Sequence, residues 1–414
     1  MKQARAKARL SCRAVMLCSL LTLLCLPGHA LAGGFALYEY GARANAMGGA
    51  TIAEGADAST VAYNPAAMTQ LPGTRFMVGA TAIAPTADVR TAHESTTTQT
   101  NVYLPPHAYM VQQAGERAWF GVGLFSRFGV GTQYGYQWEG RTKLYRAELA
   151  TYSVEANFAL KLTDSLSIAF GPELMYSSGD LRSRPTSTTD QKINVDGFGI
   201  GGQLAAFYKF NDQWSAGFTY HTTQNHMDSG HAKFTESAGL ALKNSDITMS
   251  LTLPASYTLG VSYKPDSKWK FEADAIFTQW QDYEKLVYSY EFTPGVAGNP
   301  SSDVVRDKNW RNVWRFQLGG EYQALDWLAL RAGFVWDQDP MRKGYEDYML
   351  PSSDRKIYST GFGVSEGAFT YDFSFMFLQN NHRSVDSNTI NNVGAYEISN
   401  SKAYMAGFSI GYKY

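Results

Sequence analysis

The sequence predicts an all-β membrane fold, a 14-stranded antiparallel transmembrane barrel whose lumen is plugged by an N-terminal helical segment. Three observations predict it. An export signal opens the chain, apolar residues recur with period two through most of the remainder, and short turns alternate strictly with long polar loops. Aromatics make up 14% of the chain, yet after the signal no apolar run is long enough for a spanning helix. A barrel reconciles the two, because each of its strands shows lipid at every second residue.

Residues 1–32 read as a cleaved address. Lys2, Arg5, Lys7, Arg9 and Arg13 precede an apolar run from Ala14 to Leu26, and Ala30-Leu31-Ala32 supplies a small-x-small cleavage site. The run falls short of the roughly 18 to 20 residues that a membrane anchor needs, so the mature chain is expected to start at Gly33. Bulky Leu24 argues against a lipoprotein anchor at Cys25. Cys12, Cys18 and Cys25 all lie in this segment, which leaves the exported chain without a disulfide. Removing its five cations and no acid from 36 basic and 37 acidic residues leaves a net charge near minus six. That balance excludes a nucleic-acid partner, which wants a basic face.

Residues 33–74 do not alternate. Ala42, Ala44, Ala46, Gly48, Gly49, Ala50 and Ala53 crowd small side chains together, and Asn64-Pro65-Ala66 marks a turn. Short helices and turns packed in confinement are expected. A lumen of fourteen strands is wider than wall side chains can fill, and this segment is the sizeable candidate to plug it.

Residues 75–414 read as the wall. Candidate strands lie near 75–83, 106–113, 118–128, 144–162, 165–178, 198–210, 213–222, 255–264, 268–280, 310–323, 327–337, 355–365, 368–378 and 403–414. In one hairpin Tyr152, Val154, Ala156, Phe158 and Leu160 alternate with Ser153, Glu155, Asn157 and Lys161, and the chain turns at Thr163-Asp164-Ser165. Long polar loops are expected over 223–254, 281–309 and 379–402. Trp138, Trp214, Trp269, Trp280, Trp310, Trp327 and Trp336 sit at strand ends and are expected to form two interfacial girdles. Glu155, Lys161, Lys209, Glu272, Asp274, Arg315, Glu321 and Arg331 fall on inward faces, where charges must pair or hydrate, and are expected mainly to tie plug to wall. The last strand sets Tyr404, Phe408, Ile410, Tyr412 and Tyr414 on its greasy side, and an aromatic last residue resembles the signature read by the barrel assembly machinery.

Gly34-Phe35, Glu39, Gly48-Gly49-Ala50, Ala56-Asp57-Ala58-Ser59-Thr60 and Tyr63-Asn64-Pro65-Ala66-Ala67-Met68 together resemble the N-terminal hatch of the FadL and TodX (OmpP1) family of outer-membrane hydrophobic-compound transporters. Thr278-Gln279-Trp280, Trp310 to Gly319 and Arg331-Ala332-Gly333-Phe334 resemble later stretches of the same family, so the likeness covers essentially the whole mature chain. The resemblance implies passive passage of long-chain fatty acids or aromatic hydrocarbons through a monomeric barrel in outer-membrane lipid, with no cofactor. It also implies an extracellular groove, a pocket lined by the hatch N-terminus, and a sideways exit at a kinked third strand. Phe35 matches the family's ligand-contacting aromatic, and Asn64, Pro65 and Ala66 match its hatch motif beside the exit. Arg127, in Ser126-Arg127-Phe128-Gly129, stands where many members carry proline.

Other chemistry is poorly supported, and no enzyme is expected. His107, His221, His226, His231 and His382 sit in no nucleophile motif, and the spacing of His221, His226 and His231 fits no usual metal pattern. Gly197-x-Gly199-x-x-Gly202 matches a dinucleotide fingerprint by letter but opens a strand instead of a helix. A general porin or an adhesin is the other function class, though neither gains from a filled lumen. Between ligands the physical fork is the head group, since a desolvated carboxylate needs cations and a hydrocarbon needs none. Strand topology puts Arg182 and Arg184 past one strand and Arg306 and Lys308 before another, at the extracellular rim, which favours a long-chain fatty acid.

Overall fold

The computed structural model describes residues 34–235, 244–292 and 301–414, so the export signal expected over 1–32 and the start at Gly33 lie outside the described residues. The wall is a closed ring of 14 antiparallel strands. In chain order these are β1 (Thr74–Thr91), β2 (Pro106–Gln113), β3 (Ala118–Phe125), β4 (Arg146–Lys161), β5 (Leu166–Ser183), β6 (Gln191–Lys209) and β7 (Trp214–His221). They continue with β8 (Ser256–Tyr263), β9 (Trp269–Thr278), β10 (Val313–Leu325), β11 (Leu328–Asp337), β12 (Arg355–Glu366), β13 (Phe369–Asn380) and β14 (Tyr396–Lys413). β1 pairs with β2 on one side and with β14 on the other, from Arg75↔Lys413 to Thr91↔Tyr396, so the ring leaves no free edge.

The alternation explains which way each strand faces. Phe120, Phe170, Ile200, Leu259, Leu318 and Phe375 are exposed on the outside, while Ser153, Glu155, Asn157, Gln203 and Ser409 are buried inside. Short turns close one end, and in several of them a side chain satisfies the turn backbone. Thr163 Oγ1 accepts from Ser165 N and Leu166 N at 3.2 and 2.9 Å, and Asn211 Oδ1 accepts from Gln213 N and Trp214 N at 2.8 Å.

The long-loop end differs from the expectation. Gln224–Phe234 and Ser245–Leu253 extend β7 and β8 past their breaks, and Lys285–Tyr290 and Ser302–Asp307 continue this sheet. Both faces of these strands lie beyond the lipid, so no greasy alternation marked them in the sequence.

The tryptophans divide into two groups. Trp214, Trp269 and Trp327 are exposed near the short turns and Trp336 is exposed higher up, as a girdle requires. Trp138, Trp280 and Trp310 are instead buried inside the molecule, which corrects their assignment to the girdles. A strand end is followed here by inward-folding loop, and the indoles pack with other aromatics rather than with lipid.

Residues 34–73 lie within the ring. They form α1 (Ala42–Ala46), α2 (Thr60–Tyr63) and a 3-10 turn (Pro65–Gln70). Bonds leave this segment in every direction: Ala42 N to Ser409 Oγ of β14 (2.9 Å), Asn45 Nδ2 to Thr81 Oγ1 of β1 (3.0 Å), and Thr51 N to Asp274 Oδ2 of β9 (2.9 Å). Thr219 Oγ1 of β7 donates to Tyr63 O at 2.9 Å, and Ser359 Oγ of β12 to Ala46 O at 3.2 Å. Small residues permit the fit. A Cβ on Gly333 would stand 2.2 Å from the carbonyl carbon of Met47, and Gly49 holds a φ of +87°.

A six-member ion network fastens the segment on one side. Arg43 bonds Glu54 at 2.5 Å and Glu321 at 3.0 Å; Lys270 bonds Glu54 and Glu321; Arg331 bonds Glu321 and Asp372, each at 2.6 Å. Three cations meet three acids, and removing one member of such a buried set costs about 3 to 5 kcal/mol. Lys161 and Lys209 take no part, because both reach the turn end and pair there with Asp164 and Asp212 in solvent.

Candidate ligand path

Phe35 occupies an aromatic cage. Its ring centroid lies 6.0 Å from Phe128, 4.8 Å from Trp280, 5.4 Å from Tyr283 and 5.6 Å from Trp310, every contact edge-to-face. Gly34 is required beside it, since its φ is +51° and a Cβ there would stand 2.5 Å from the Trp280 ring.

The backbone of the same residues bonds a break in the wall. β3 ends at Phe125, and its line resumes as Gly129–Gln133. Against β4 the register moves from Phe125↔Ser153 to Gly129↔Ala150, so the broken strand uses one residue more than its partner. Ala36 bridges Phe128, Leu37 N donates to Arg127 O at 2.7 Å, and Gly129 N donates to Phe35 O at 2.8 Å. Thr151 Oγ1 accepts from Phe128 N at 3.0 Å in place of a ladder bond. The Arg127 guanidinium turns inward and bonds Glu173 at 2.7 Å, with both groups buried. On the other side of the break the ladder with β2 stops at Ala108↔Leu124, and the ring of Tyr103 covers Gly131, where a Cβ would stand 2.3 Å from it.

Three cavities follow one another toward this point. The outermost, of about 130 Å³, is lined among others by Lys143, Leu181, Arg182, Arg306, Lys308 and Met349. The second, about 30 Å³ and almost wholly apolar, is lined by Phe35, Val130, Leu181, Met249, Leu251 and Met349. Leu181 and Met349 belong to both, so the cationic groove and the apolar pocket share a wall. The third, also about 30 Å³, lies past Phe35 and is lined by Tyr38, Tyr63, Arg127, Phe128, His221 and Gln317.

Of the four cations read as a rim, Arg306 and Lys308 line the groove, Arg182 borders it with its side chain turned outward to Asp180, and Arg184 does not reach it. Arg184 bonds Gln137 Oε1 at 3.0 Å and lies 4.3 Å over the Tyr136 ring. Arg182 spends its guanidinium on Asp180, with bonds of 2.9 and 2.7 Å, and Lys308 is buried against Asp347. The side-chain bonds of Asn64 go to other partners than the break. Asn64 Nδ2 donates to Ile52 O (2.7 Å) and to Ala206 O of β6 (3.0 Å), its Oδ1 accepts from Ala66 N (3.1 Å), and Pro65 opens the 3-10 turn. The motif pins the segment to β6, while Phe35, Ala36 and Leu37 bond the break.

Sequence reasoning missed the loop over 338–354, which folds back over the groove. Tyr134 Oη donates to Tyr348 O at 3.0 Å, Tyr396 Oη to Asp347 O at 2.9 Å, and Arg383 holds Asp339 and Glu346 at 2.5 and 2.9 Å. The histidines lie apart. His221 faces Glu155 at 3.5 Å and His231 bonds Asp246 at 2.7 Å in solvent. Ser177 Oγ lies 2.9 Å from His226 Nδ1, but it donates directly to Asp228 and all three side chains are buried, a packed polar knot without access for a substrate.

Residues 23–414 match the family described as outer membrane protein transport protein (OMPP1/FadL/TodX). The chain belongs to this FadL/TodX family. It is 26% identical to an outer membrane protein of Neisseria meningitidis serogroup B, over 86% of this chain and 90% of that one. It is 21% identical to the long-chain fatty acid transport protein of Escherichia coli K12, over 80% and 84%. The fold is shared with a Pseudomonas aeruginosa FadL homologue (TM-score 0.79, 18% identity, 92% and 100% covered) and with the P. putida toluene transporter TodX (0.75, 19%, 91% and 98%). The protein is thus an outer-membrane barrel of a FadL/TodX-type family of transporters of hydrophobic compounds.

Proposed function

We propose that the chain passes long-chain fatty acids across the outer membrane without an energy source, with residues 33–74 acting as a hatch inside a wall formed by residues 75–414. The observation that carries this reading is the shared wall of Leu181 and Met349, which joins a groove bearing Lys143, Arg306 and Lys308 to an apolar pocket closed by Phe35. A carboxylate leaving water needs cations or several donors, and an acyl chain needs the apolar space beyond them. In this reading the head group meets Arg306 and Lys308 first, with Arg182 at the side and Arg184 outside the groove. The chain then displaces Phe35, and the ligand leaves sideways where β3 is broken. Asn64, Pro65 and Ala66 hold the hatch in register against β6 while this happens. No residue is assigned a catalytic role.

Aromatic hydrocarbons are the second reading, favoured by the density of rings around Phe35. A binding panel of oleate, its uncharged alcohol and toluene, on the native protein and on Arg306→Gln/Lys143→Gln, separates the two. Oleate preferred over the alcohol only in the native protein supports the fatty-acid reading. Equal binding of oleate and alcohol, unchanged by neutralisation, removes the head-group site and leaves the hydrocarbon reading.

A further inference from the structure

The outer face of the wall carries a transverse row of four cations. Arg146 of β4 stands directly opposite Arg182 of β5, Arg182 opposite Lys192 of β6, and Lys192 opposite Lys233 on the extension of β7. Directly opposed residues share a face. The chain neighbours Ala147, Ile193 and Ala232 are in the buried core, so the row itself points outward. Strands lie about 4.8 Å apart, which makes the row about 14 Å wide.

Like charges directly opposite one another are destabilising, and here three successive pairs repel. Glu148 and Asp180, two residues along, each take one arginine at 2.7 Å. The matching positions beside Lys192 and Lys233 are Asn194 and His231, and His231 is engaged with Asp246. Both lysines are exposed, and neither has an ion-pair partner among the described residues. Among the described residues the row keeps two cations side by side without an ion-pair partner, with Asp180 near enough to Lys192 to attract it.

β6 fixes the height of this surface. Tyr208 and Phe198 are exposed aromatics ten residues apart on it. Ten residues span about 33 Å of strand, or about 25 Å of height at a tilt near 40°, which is the apolar band of an outer-membrane barrel. Phe198 lies 5.3 Å from Tyr176 in the upper girdle. Lys192 is a further six residues up, about 15 Å above the apolar edge. Lipid beside the barrel presents head groups there, not acyl chains.

We propose that Lys192 and Lys233, flanked by Arg182 and Arg146, form a binding surface for the phosphate-bearing head group of an anionic glycolipid in the outer leaflet. A phosphate between the two lysines removes their repulsion and gains charge-assisted hydrogen bonds. The width of the row suits a head group with more than one phosphate. The surface lies outside the barrel and is independent of what the lumen carries.

The test is lipid retention by the full-length barrel, read by native mass spectrometry after extraction from vesicles containing bisphosphorylated lipid A or its fully dephosphorylated form. The wild-type protein is expected to retain the phosphorylated lipid at least about tenfold better, a difference of about 1.4 kcal/mol. Lys192→Gln/Lys233→Gln is expected to lose that preference, and Lys192→Arg/Lys233→Arg to keep it, with oleate binding unchanged in both. Equal retention of the two lipids by the wild type, or an undiminished preference in the glutamine variant, overturns the proposal. So does complete displacement of the lipid by inorganic phosphate, which would reveal a loose anion site instead of a glycolipid surface.

Discussion

Ala36 and Phe128 form a single antiparallel bridge, and through it the backbone of the N-terminal segment is hydrogen-bonded to the break in the third strand. Phe35, the residue before Ala36, is the ring that closes the apolar pocket. Moving the backbone that carries the ring would also loosen the break, since the same residues supply the bonds that complete the wall.

Phe35→Ala is expected to empty the aromatic cage. Truncating a buried phenylalanine costs about 3 to 5 kcal/mol, here borne by the seating of residues 34–37 and not by the barrel. Oleate affinity should fall at least about tenfold, or about 1.4 kcal/mol, by calorimetry, while the heat-modifiable shift of the barrel is kept. Unaltered affinity would exclude Phe35 from the pocket.

Arg127→Ala is expected to destabilise far more than Arg127→Met/Glu173→Leu. The single change strands the Glu173 carboxylate in a buried site, a penalty of about 3 to 5 kcal/mol, whereas replacing both partners removes the charge as well. Thermal unfolding of the purified barrels checks the order of the two variants. If the double variant is the less stable one, the ion pair does more than hold the bulge.

Asn64→Ala/Pro65→Ala is expected to leave the wall folded and to slow uptake. The Asn64 side chain makes three hydrogen bonds in the structure, each worth about 1 kcal/mol, and Pro65 presets the 3-10 turn. Radiolabelled oleate uptake at matched surface expression measures the effect. Wild-type flux would mean that the motif only packs.

Tyr103→Ala is expected to widen the lateral break, because the ring fills the space over Gly131 where the ladder between β2 and β3 has ended. Ligand release into bilayers should speed up, and small-ion leakage in planar bilayers should rise. Unchanged release and conductance would assign closure to another group.

The wall was legible in the sequence because lipid on one side and water or protein on the other impose period two on every spanning strand. All fourteen strands were found on that basis. Where both faces are wet, as in Gln224–Phe234 and Ser245–Leu253, the same hydrogen bonding leaves no such mark, and the extracellular sheet was read as loop. Trp280 and Trp310 were misread for a related reason. Position at a strand end does not say whether the next residues fold outward or into the lumen, and here they fold inward onto Phe35. Leu181, Arg306 and Lys308 converge on one groove across four strands of separation, a meeting that barrel closure creates and linear spacing cannot reveal. The loop over 338–354 carried no sign of its position, since its hold on the groove rests on long-range pairs such as Arg383 with Glu346.

The central claim is that the ligand passes the point where the hatch bridges the third strand. The described residues contain no cysteine, so Ala36→Cys/Phe128→Cys introduces one isolated pair. Opposed residues of an antiparallel bridge lie about 4.5 to 5.5 Å apart at Cα, within reach of a disulfide. Oleate uptake should fall to about a tenth or less when the pair is oxidised, about 1.4 kcal/mol or more of added barrier, and should return on reduction, with either single cysteine insensitive to oxidant. Full uptake through a completely cross-linked barrel would contradict the account, because the ligand would then cross without parting Ala36 from Phe128.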